Sequence, residues 1–296
     1  MARANLTRLG ALPATGLLPK DLNLNRIWLW PNLLSLDAVC VALLWQQLFA
    51  SAAAVDVEPA ERIALGLAVW IIYILDRVFD TGGNVSPPST RHQFYLRYRP
   101  FSIAVSQLAL GTEIFVCASF GKQMLLAGTA LSLIVAVYFF GIHFHPGMRR
   151  FLPKEAVVAL VFSTGTALDT FTKCSLTVSL AASVLLFAAI CLLNCTSIEC
   201  FEYRYFGEHQ VEPPSAWTTW PVGHFRLIAL GIAFAATGLR LISGAQELFG
   251  SIAITALGLV WFDQTHRLMS PEQMRVAADL PLVLPALLLL ARAYGL

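Results

Sequence analysis

Apolar runs of about 18 to 25 residues recur along the chain and are separated by short polar stretches. Folded as a helix that rises about 1.5 Å per residue, a run of this length crosses a hydrocarbon core of roughly 30 Å. The composition agrees, because 57% of the 296 residues are hydrophobic and only 13% are charged. These features exclude a typical water-soluble enzyme and predict an integral membrane protein surrounded by the lipid bilayer.

Apolar runs that are separated by short polar stretches divide the chain into about nine predicted membrane spans. They predict an all-α membrane protein, a bundle of about nine transmembrane helices around a cytoplasm-facing polar cavity. Residues 1–26 are predicted to form a cytoplasmic N-terminal arm, and residues 27–296 a single transmembrane domain. The predicted spans are 27–55, 62–80, 99–120, 122–144, 154–172, 174–200, 224–243, 246–266 and 273–294.

The distribution of basic residues predicts the orientation of the chain. With a cytoplasmic N-terminus and about nine crossings, 15 of the 20 Lys and Arg residues fall on the cytoplasmic side, in agreement with the positive-inside rule. The two longest predicted connections, 81–98 and 201–223, also lie on that side, and long connections tend to form lids or binding segments. We therefore expect a multi-pass protein of a bacterial inner membrane that works on its cytoplasmic face.

Charge and cysteine content exclude other classes of site. The formal net charge is only +2 and no basic block is present, which argues against a nucleic acid partner. The six cysteines lie mostly within apolar runs and lack the paired spacing of zinc sites or disulfide frameworks. We interpret them as buried apolar side chains.

Two aspartates, Asp76 and Asp80, lie four residues apart near the end of the second predicted span and form the first acidic pair. On a helix their carboxylates share one face, and Tyr73 lies on that face too. Carboxylates so placed suit a Mg²⁺ ion that bridges to a phosphate. The alternative is an interfacial helix end at which Asp76 pairs with Arg77 or Arg91.

A second acidic group ends the sixth predicted span, where Glu199 and Glu202 lie three residues apart and Asn194 lies deeper. Both groups end spans on the same predicted side, and each precedes one of the long connections. Two facing carboxylate sites at one end of a bundle predict a cage for a divalent metal and a pyrophosphate. The residues expected to neutralise the remaining phosphate charge are Arg91, Arg149, Arg150, Lys154 and Arg204.

Other polar residues leave alternatives open. Asp37, inside the first predicted span, either lines the same cavity or is satisfied by a neighbouring hydroxyl or arginine. Asp279 is expected to pair with Arg275 or Arg267. The stretch 90–95 is either a lid over the diphosphate or a solvated basic loop.

The first acidic pair belongs to a stretch that resembles a motif of the UbiA superfamily of intramembrane prenyltransferases. That family's first motif, Asn-Asp-x-x-Asp-x-x-x-Asp, lies near the end of the second helix, and its positions correspond to Ile72, Tyr73, Asp76 and Asp80. The chain keeps the last two aspartates and lacks the leading Asn-Asp. The stretch is also similar to the Asp-Arg-x-Phe-Asp of hydroxybenzoate-type members, which places Arg77 within the motif.

Two further segments are similar to motifs of the family. The sequence from His145 to Arg150 is similar to Tyr-Pro-x-x-Lys, with His in place of Tyr and Arg149 in place of Lys. The second aspartate motif would fall on Asn194 to Glu202, where this chain has Asn and Glu instead of Asp. The resemblance covers nearly the whole chain in the placement of spans, and only its first motif is close.

The resemblance implies a Mg²⁺-dependent prenyltransferase. In that family a polyprenyl diphosphate enters a lipid-facing tunnel, Mg²⁺ on the acidic motifs ionises it, and the allylic cation alkylates a small, often aromatic, acceptor. The resemblance implies that Asp76 and Asp80 are catalytic metal ligands, with Asn194, Glu199 and Glu202 as further ligands. The residues expected to contact the substrate are Tyr73, Arg77, Arg91, His145, Arg149, Arg150, Lys154, Arg204 and Asp37.

Other functions remain open at this point. A protein of this fold that binds isoprenoids, transports or acts as a scaffold without transferase activity is one alternative, and a terpene cyclase of the same family is another. A phospholipid-forming CDP-alcohol phosphotransferase is disfavoured, because its Asp-Gly-x-x-Ala-Arg signature is absent from the sequence. The length of the prenyl donor, the acceptor and the oligomeric state are left open.

Overall fold

The computed structural model describes residues 27–80, 90–144, 153–206, 216–265 and 269–293, and every regular element within these ranges is helical. A short 3₁₀ turn, Ile27–Leu29, precedes the α-helices. In chain order these are α1 (Trp30–Leu33), α2 (Leu36–Ala52), α3 (Pro59–Asp80), α4 (Thr90–Arg97), α5 (Arg99–Cys117), α6 (Lys122–Phe144), α7 (Lys154–Thr166), α8 (Leu168–Lys173), α9 (Val178–Phe206), α10 (Ala216–Gly223), α11 (Phe225–Ile242), α12 (Gln246–Thr265) and α13 (Pro271–Ala293).

Among the described residues, five helices are long and apolar enough to cross a membrane, namely α5, α6, α9, α11 and α12. A sixth candidate span combines Ile27–Leu33 with Leu36–Ala52, which are bent by 71°. The predicted all-helical class is confirmed, and these helices are consistent with a multi-pass membrane protein. The predicted number of about nine spans is not confirmed. One reason is that α3 carries five charged residues, and another is that the fifth predicted span is divided.

The bend in the first predicted span has a local cause at Ser35. Its backbone is left-handed with φ of 59°, a conformation that costs a residue other than glycine about 1 kcal/mol or more. Tyr95 stabilises this break, because its hydroxyl donates to the Leu33 carbonyl at 2.8 Å and lies 3.3 Å from the Ser35 hydroxyl. The Trp70 indole donates to the Leu34 carbonyl at 2.7 Å. These contacts attach α3 and α4 to the break.

The fifth predicted span, 154–172, is interrupted at Ala167 between α7 and α8. The Thr166 hydroxyl donates to the Ser163 carbonyl at 2.8 Å, and the Ser163 hydroxyl donates to the Val184 carbonyl at 2.6 Å. A hydroxyl group that binds a backbone carbonyl of its own helix, as that of Thr166 does, often bends the helix, whereas the Ser163 bond attaches α7 to α9. The expected single span is therefore two short helices.

The long connection predicted before the third span contains the helix α4. Phe94 and Tyr95 of α4 are buried and belong to one apolar cluster with Ile74 and Val78 of α3. The interpretation of this stretch as a solvated basic loop is therefore wrong, because its apolar residues pack against the bundle. The second long connection also differs from expectation, since α9 extends into it and α10 lies within it.

The main apolar core lies where α2, α9, α11, α12 and α13 meet. Trp45 of α2 stacks on Phe187 of α9 with ring centroids 3.9 Å apart, and both side chains are fully buried. The Trp45 indole donates to the Leu282 carbonyl of α13 at 3.0 Å. By contrast, α5 and α6 expose large apolar side chains such as Phe115, which is 82% exposed. Such surfaces are typical of helices that face lipid.

Candidate functional site

Polar side chains from six helices converge at one end of the bundle, where α3 and α9 end and α7 and α13 begin. Helix geometry explains part of this convergence, since residues three or four apart project from the same face. We call this region the polar centre. It comprises Asp37, Tyr73, Asp76, Arg77, Asp80, Arg91, Lys154, Glu155, Asn194, Glu199, Glu202, Arg275 and Asp279.

Both members of the first acidic pair contact the side chain of Lys154, the first residue of α7. The Lys154 ammonium lies 2.9 Å from Asp76 Oδ1 and 3.3 Å from Asp80 Oδ2. It also donates to Asp76 Oδ2 at 3.1 Å, so it contacts both oxygens of that carboxylate. The three side chains are each about one third exposed. Lys154 therefore takes the place of the arginines that the alternative interpretation expected beside Asp76.

The first acidic pair fits a cation between its members, which is the arrangement that a metal ion bound to both carboxylates would need. The Lys154 ammonium stands in for such an ion, because it contacts both Asp76 and Asp80. Mg²⁺ at this position would have to displace the ammonium group. Within the described ranges, no group of three or more His, Cys, Asp or Glu side chains is arranged to hold a metal.

Glu199, of the second acidic group, lies against Glu155, the neighbour of Lys154 in α7. The two carboxyl groups lie within electrostatic range of each other, with Thr218 of α10 beside them. The Thr218 hydroxyl lies 3.4 Å from Glu155 Oε2. Two carboxyl groups so placed repel each other in their charged forms unless a proton or a cation lies between them. Because Lys154 and Glu155 are adjacent, the first acidic pair and Glu199 lie on the same side of the bundle.

Two hydrogen-bonded pairs, each of an asparagine and an aspartate, lie deeper in the polar centre. The Asn32 amide donates to Asp37 Oδ2 at 2.6 Å, and the Asn194 amide donates to Asp279 Oδ1 at 3.0 Å. The carboxyl groups of Asp37 and Asp279 lie within electrostatic range of each other. Asp37 thus lies in the same polar centre as the second acidic group, with an asparagine amide rather than a hydroxyl or an arginine as its donor.

Glu202 forms an ion pair with Arg275 of α13, in which Arg275 Nε donates to Glu202 Oε1. Arg275 is only 5% exposed. The predicted pair between Asp279 and Arg275 is therefore wrong, because Arg275 is directed to α9. The other partner predicted for Asp279, Arg267, lies outside the described residues. As placed, Glu202 neutralises a guanidinium group rather than extending the first acidic pair.

Three guanidinium groups gather beside the acidic residues, and we call Arg77, Arg91 and Arg275 the arginine cluster. The Arg77 guanidinium packs over the rings of Tyr73 and Tyr95, 5.9 and 5.7 Å from their centroids. Burial and the nearby charges of Arg275 and Arg77 lower the pKa of Arg91 to about 9. Arg91 therefore remains a cation at neutral pH, and the cluster concentrates positive charge at one flank of the polar centre.

Among the predicted substrate contacts that the structure describes, Arg204 lies outside the polar centre. Arg204 is exposed and lines a shallow groove with Phe225 and Asp263, on the side of α9 that faces α11 and α12. The predicted contacts that lie outside the described residues are His145, Arg149 and Arg150.

Glu155 and Arg275 are members of the polar centre that the sequence analysis did not select as site residues. A signal for Arg275 was present, since Arg275 and Asp279 are four residues apart and so share one helical face, as do Asp76 and Asp80. The position of Glu155 in the sequence does not by itself indicate a site residue. Its contact with Glu199 depends on the packing of α7 against α9.

The polar centre combines acidic side chains that bind a cation with guanidinium groups that suit an anion. This combination, at one end of an apolar bundle, can hold a charged headgroup while the rest of a ligand lies among apolar helices. Comparison of the chain with protein-family models, with curated proteins and with solved structures finds no match.

Proposed function

We propose that this chain is a Mg²⁺-dependent intramembrane prenyltransferase of the UbiA type, which ionises an isoprenoid diphosphate and transfers the prenyl group to a small, often aromatic, acceptor. One observation carries the proposal: Asp76 and Asp80 converge on a single cation in a polar centre at one end of an apolar bundle. A diphosphate with an apolar tail needs a cation for its headgroup and an apolar bundle for its tail.

The membrane topology is part of the proposal. Nine spans would result if α1 with α2, α3, α5, α6, α7 with α8, α9, α11, α12 and α13 each crossed the membrane. The N-terminus would lie in the cytoplasm, and the membrane would be the inner membrane of a bacterium. The polar centre would then open to the cytoplasm.

Asp76 and Asp80 would hold Mg²⁺ in place of the Lys154 ammonium. When bound, the metal supplies positive charge that stabilises the departing diphosphate. Lys154 would turn to the phosphate oxygens, because its ammonium loses both carboxylate partners when they bind another cation. Asn194 and Glu199 have buried oxygen atoms without a hydrogen-bond donor among the described residues, and they are the further ligands that we propose. For Glu202 the proposed role is to hold Arg275.

Ionisation leaves an allylic cation that must be protected from water. The apolar interior of the bundle excludes water, and an aromatic face attracts a cation. Tyr73 precedes Asp76 by three residues and lies on the same face of α3, so its ring is the proposed neighbour of the cation.

A second candidate is a protein of the same fold that binds isoprenoid diphosphates without turning them over. The contact of Lys154 with both aspartates favours it, because an internal ammonium neutralises them without a metal. The two candidates differ in pyrophosphate release, which only the enzyme would perform.

The test is release of pyrophosphate by the purified protein in detergent, supplied with geranyl, farnesyl or longer diphosphates and with Mg²⁺ or EDTA. We expect release with Mg²⁺, none with EDTA, and none from Asp76→Asn. Asp263→Asn is the matched control, since Asp263 pairs with Arg226 outside the polar centre, and it should retain full activity. Binding of a diphosphate without release would support the second candidate, and full activity of Asp76→Asn would contradict the transferase.

A further inference from the structure

Glu113 lies outside the polar centre, within the apolar helix α5. This helix is long and apolar enough to cross a membrane. Close to Glu113 along the helix, Leu110, Ile114 and Phe115 expose their side chains on its outer surface. Acidic side chains are rare at membrane depth, because hydrocarbon does not solvate a charge, and they often mark functional positions. Glu113 is therefore a candidate for a second site in this protein.

The Glu113 side chain lies at the border between the packed face and the outer surface of α5. The helix packs mainly against α3. Its buried residues are Ser102, Ser106 and Ala109, and Glu113 follows Ala109 by four residues, so it continues the same face. Glu113 is half-buried, whereas the following residue, Ile114, is 65% exposed. The carboxyl group thus lies where the packed face of α5 meets side chains that face lipid.

The hydrogen bonding of Glu113 is incomplete among the described residues. Glu113 Oε1 accepts from the Cys117 thiol, with the sulfur and the oxygen 3.6 Å apart. Glu113 Oε2 is buried and has no hydrogen-bond partner there. A thiol is a weak donor, so the carboxyl group lacks a strong one. By contrast, the hydroxyls of Ser106 and Thr112 donate to backbone carbonyls of α5 at 2.9 and 3.0 Å.

Glu113 also forms no ion pair with a basic side chain in the part of the chain that the structure describes. Glu61 of α3 shows the contrast, because it is buried and accepts from the Lys173 ammonium at 2.6 Å. A carboxylate without a cation or a strong donor is unfavourable in an apolar environment, whereas the neutral acid is not. A bound proton would supply the charge balance that Lys173 provides for Glu61.

We propose that Glu113 is an intramembrane proton-binding site, which holds a neutral carboxylic acid at the lipid-facing border between α5 and α3. The neutral acid is open to modification by reagents that dissolve in the bilayer. This proposal does not rest on the proposed function, since it involves neither Mg²⁺ nor a diphosphate.

A carbodiimide reacts with a carboxyl group of this kind. The acid proton moves to a nitrogen of the carbodiimide, and the carboxylate oxygen adds to the central carbon. The acyl group then shifts from oxygen to nitrogen, and the product, an N-acylurea, keeps every atom of both reactants. A lipophilic carbodiimide therefore labels a neutral acid that it can reach from the lipid.

The test is treatment of the purified full-length protein in lipid nanodiscs with dicyclohexylcarbodiimide or with a water-soluble carbodiimide, followed by peptide mass spectrometry. We expect the lipophilic reagent to label Glu113 at least about tenfold faster than the water-soluble reagent does. Glu247, which is exposed in the first turn of α12, is the matched carboxyl group in the same protein and should show the opposite preference.

The variant Glu113→Gln replaces the acid with a neutral side chain of similar size. The label at this position should disappear, while the thermal unfolding temperature should equal that of wild type. Glu247→Gln is the matched control and should leave the labelling of Glu113 unchanged. Cys117→Ala should also retain the label, because the proposed proton balances the charge without the thiol.

Three results would overturn the proposal. Labelling of Glu113 by the water-soluble reagent at an equal or higher rate would show that the carboxyl group is reached from water. Absence of labelling by the lipophilic reagent, in protein that unfolds cooperatively, would show that no neutral acid faces the lipid. A lower unfolding temperature of Glu113→Gln than of wild type would show that the charged form makes a stabilising contact.

Discussion

The Lys154 ammonium lies 2.9 Å from Asp76 Oδ1 and 3.3 Å from Asp80 Oδ2, so one side chain of α7 closes the acidic end of α3. This contact ties the two helices together. It also means that any metal ion at the first acidic pair competes with an internal cation.

Lys154→Met should therefore raise the affinity of the protein for Mg²⁺. Without the ammonium, Asp76 and Asp80 repel each other, so unfolding in EDTA should be easier by about 1 kcal/mol, and Mg²⁺ should reverse the loss. Thermal unfolding over a series of Mg²⁺ concentrations measures both effects. Lys122→Met, at the start of α6, is the matched control and should show neither. An equal response of Lys154→Met and wild type to Mg²⁺ would contradict competition at this site.

The convergence of Asp76 and Asp80 could be predicted from the sequence, because residues four apart on a helix share a face regardless of the surroundings. Their partner could not, since Lys154 reaches them only when α7 packs against α3. The same holds for Arg275 and Glu202, which are 73 residues apart. Sequence spacing identifies residues that share one face of a helix, whereas the charge partners of those residues depend on how several helices pack together.

The fold likewise has features that local sequence determines and features that contacts between distant residues determine. The helical class follows from the length of the apolar runs and is confirmed. The breaks at Ser35 and Ala167 do not follow from hydropathy, because they depend on a left-handed residue held by Tyr95 and on the Thr166 hydroxyl bound to a carbonyl of its own helix. Composition also does not distinguish α4 from a loop, since its buried apolar residues Phe94 and Tyr95 lie among largely polar neighbours.

We expect the two glutamates of the second acidic group to have different roles, Glu202 in stability and Glu199 in function. Glu202→Gln leaves the buried Arg275 without its counter-charge, and we expect a loss of about 3 kcal/mol in unfolding free energy. Glu199→Gln removes one of two adjoining carboxyl groups, so its stability should equal or exceed that of wild type. Its pyrophosphate release should still fall at least about tenfold if Glu199 binds the substrate's metal.

Denaturant unfolding and the release assay, applied to both variants, separate these effects. Glu247→Gln, in the first turn of α12, provides a carboxylate control outside the polar centre. Equal stability of the Glu199 and Glu202 variants would contradict the division. Wild-type release by Glu199→Gln would remove Glu199 from the proposed ligands.

The contact between α4 and the break in the first span should also be measurable. Tyr95→Phe removes the hydroxyl that donates to the Leu33 carbonyl, and the partly orphaned acceptor should cost about 1 to 2 kcal/mol. Tyr205→Phe, at an exposed position, should change stability by less than about 0.5 kcal/mol. Denaturant unfolding compares the two variants. Equal effects would mean that the hydroxyl of Tyr95 does not stabilise the left-handed conformation of Ser35.

The close approach of α12 and α13 leads to the last prediction, which concerns Gly258. A methyl group added at Gly258 would lie 3.1 Å from Pro281 Cβ, so Gly258→Ala must push α13 outward by a few tenths of an ångström. At Gly238 a methyl group meets no atom within 4 Å, and Gly238→Ala is the matched control. Gly258→Ala should be about 1 to 3 kcal/mol less stable than that control in denaturant unfolding. A stability equal to that of the control would show that α13 accommodates the methyl group without strain.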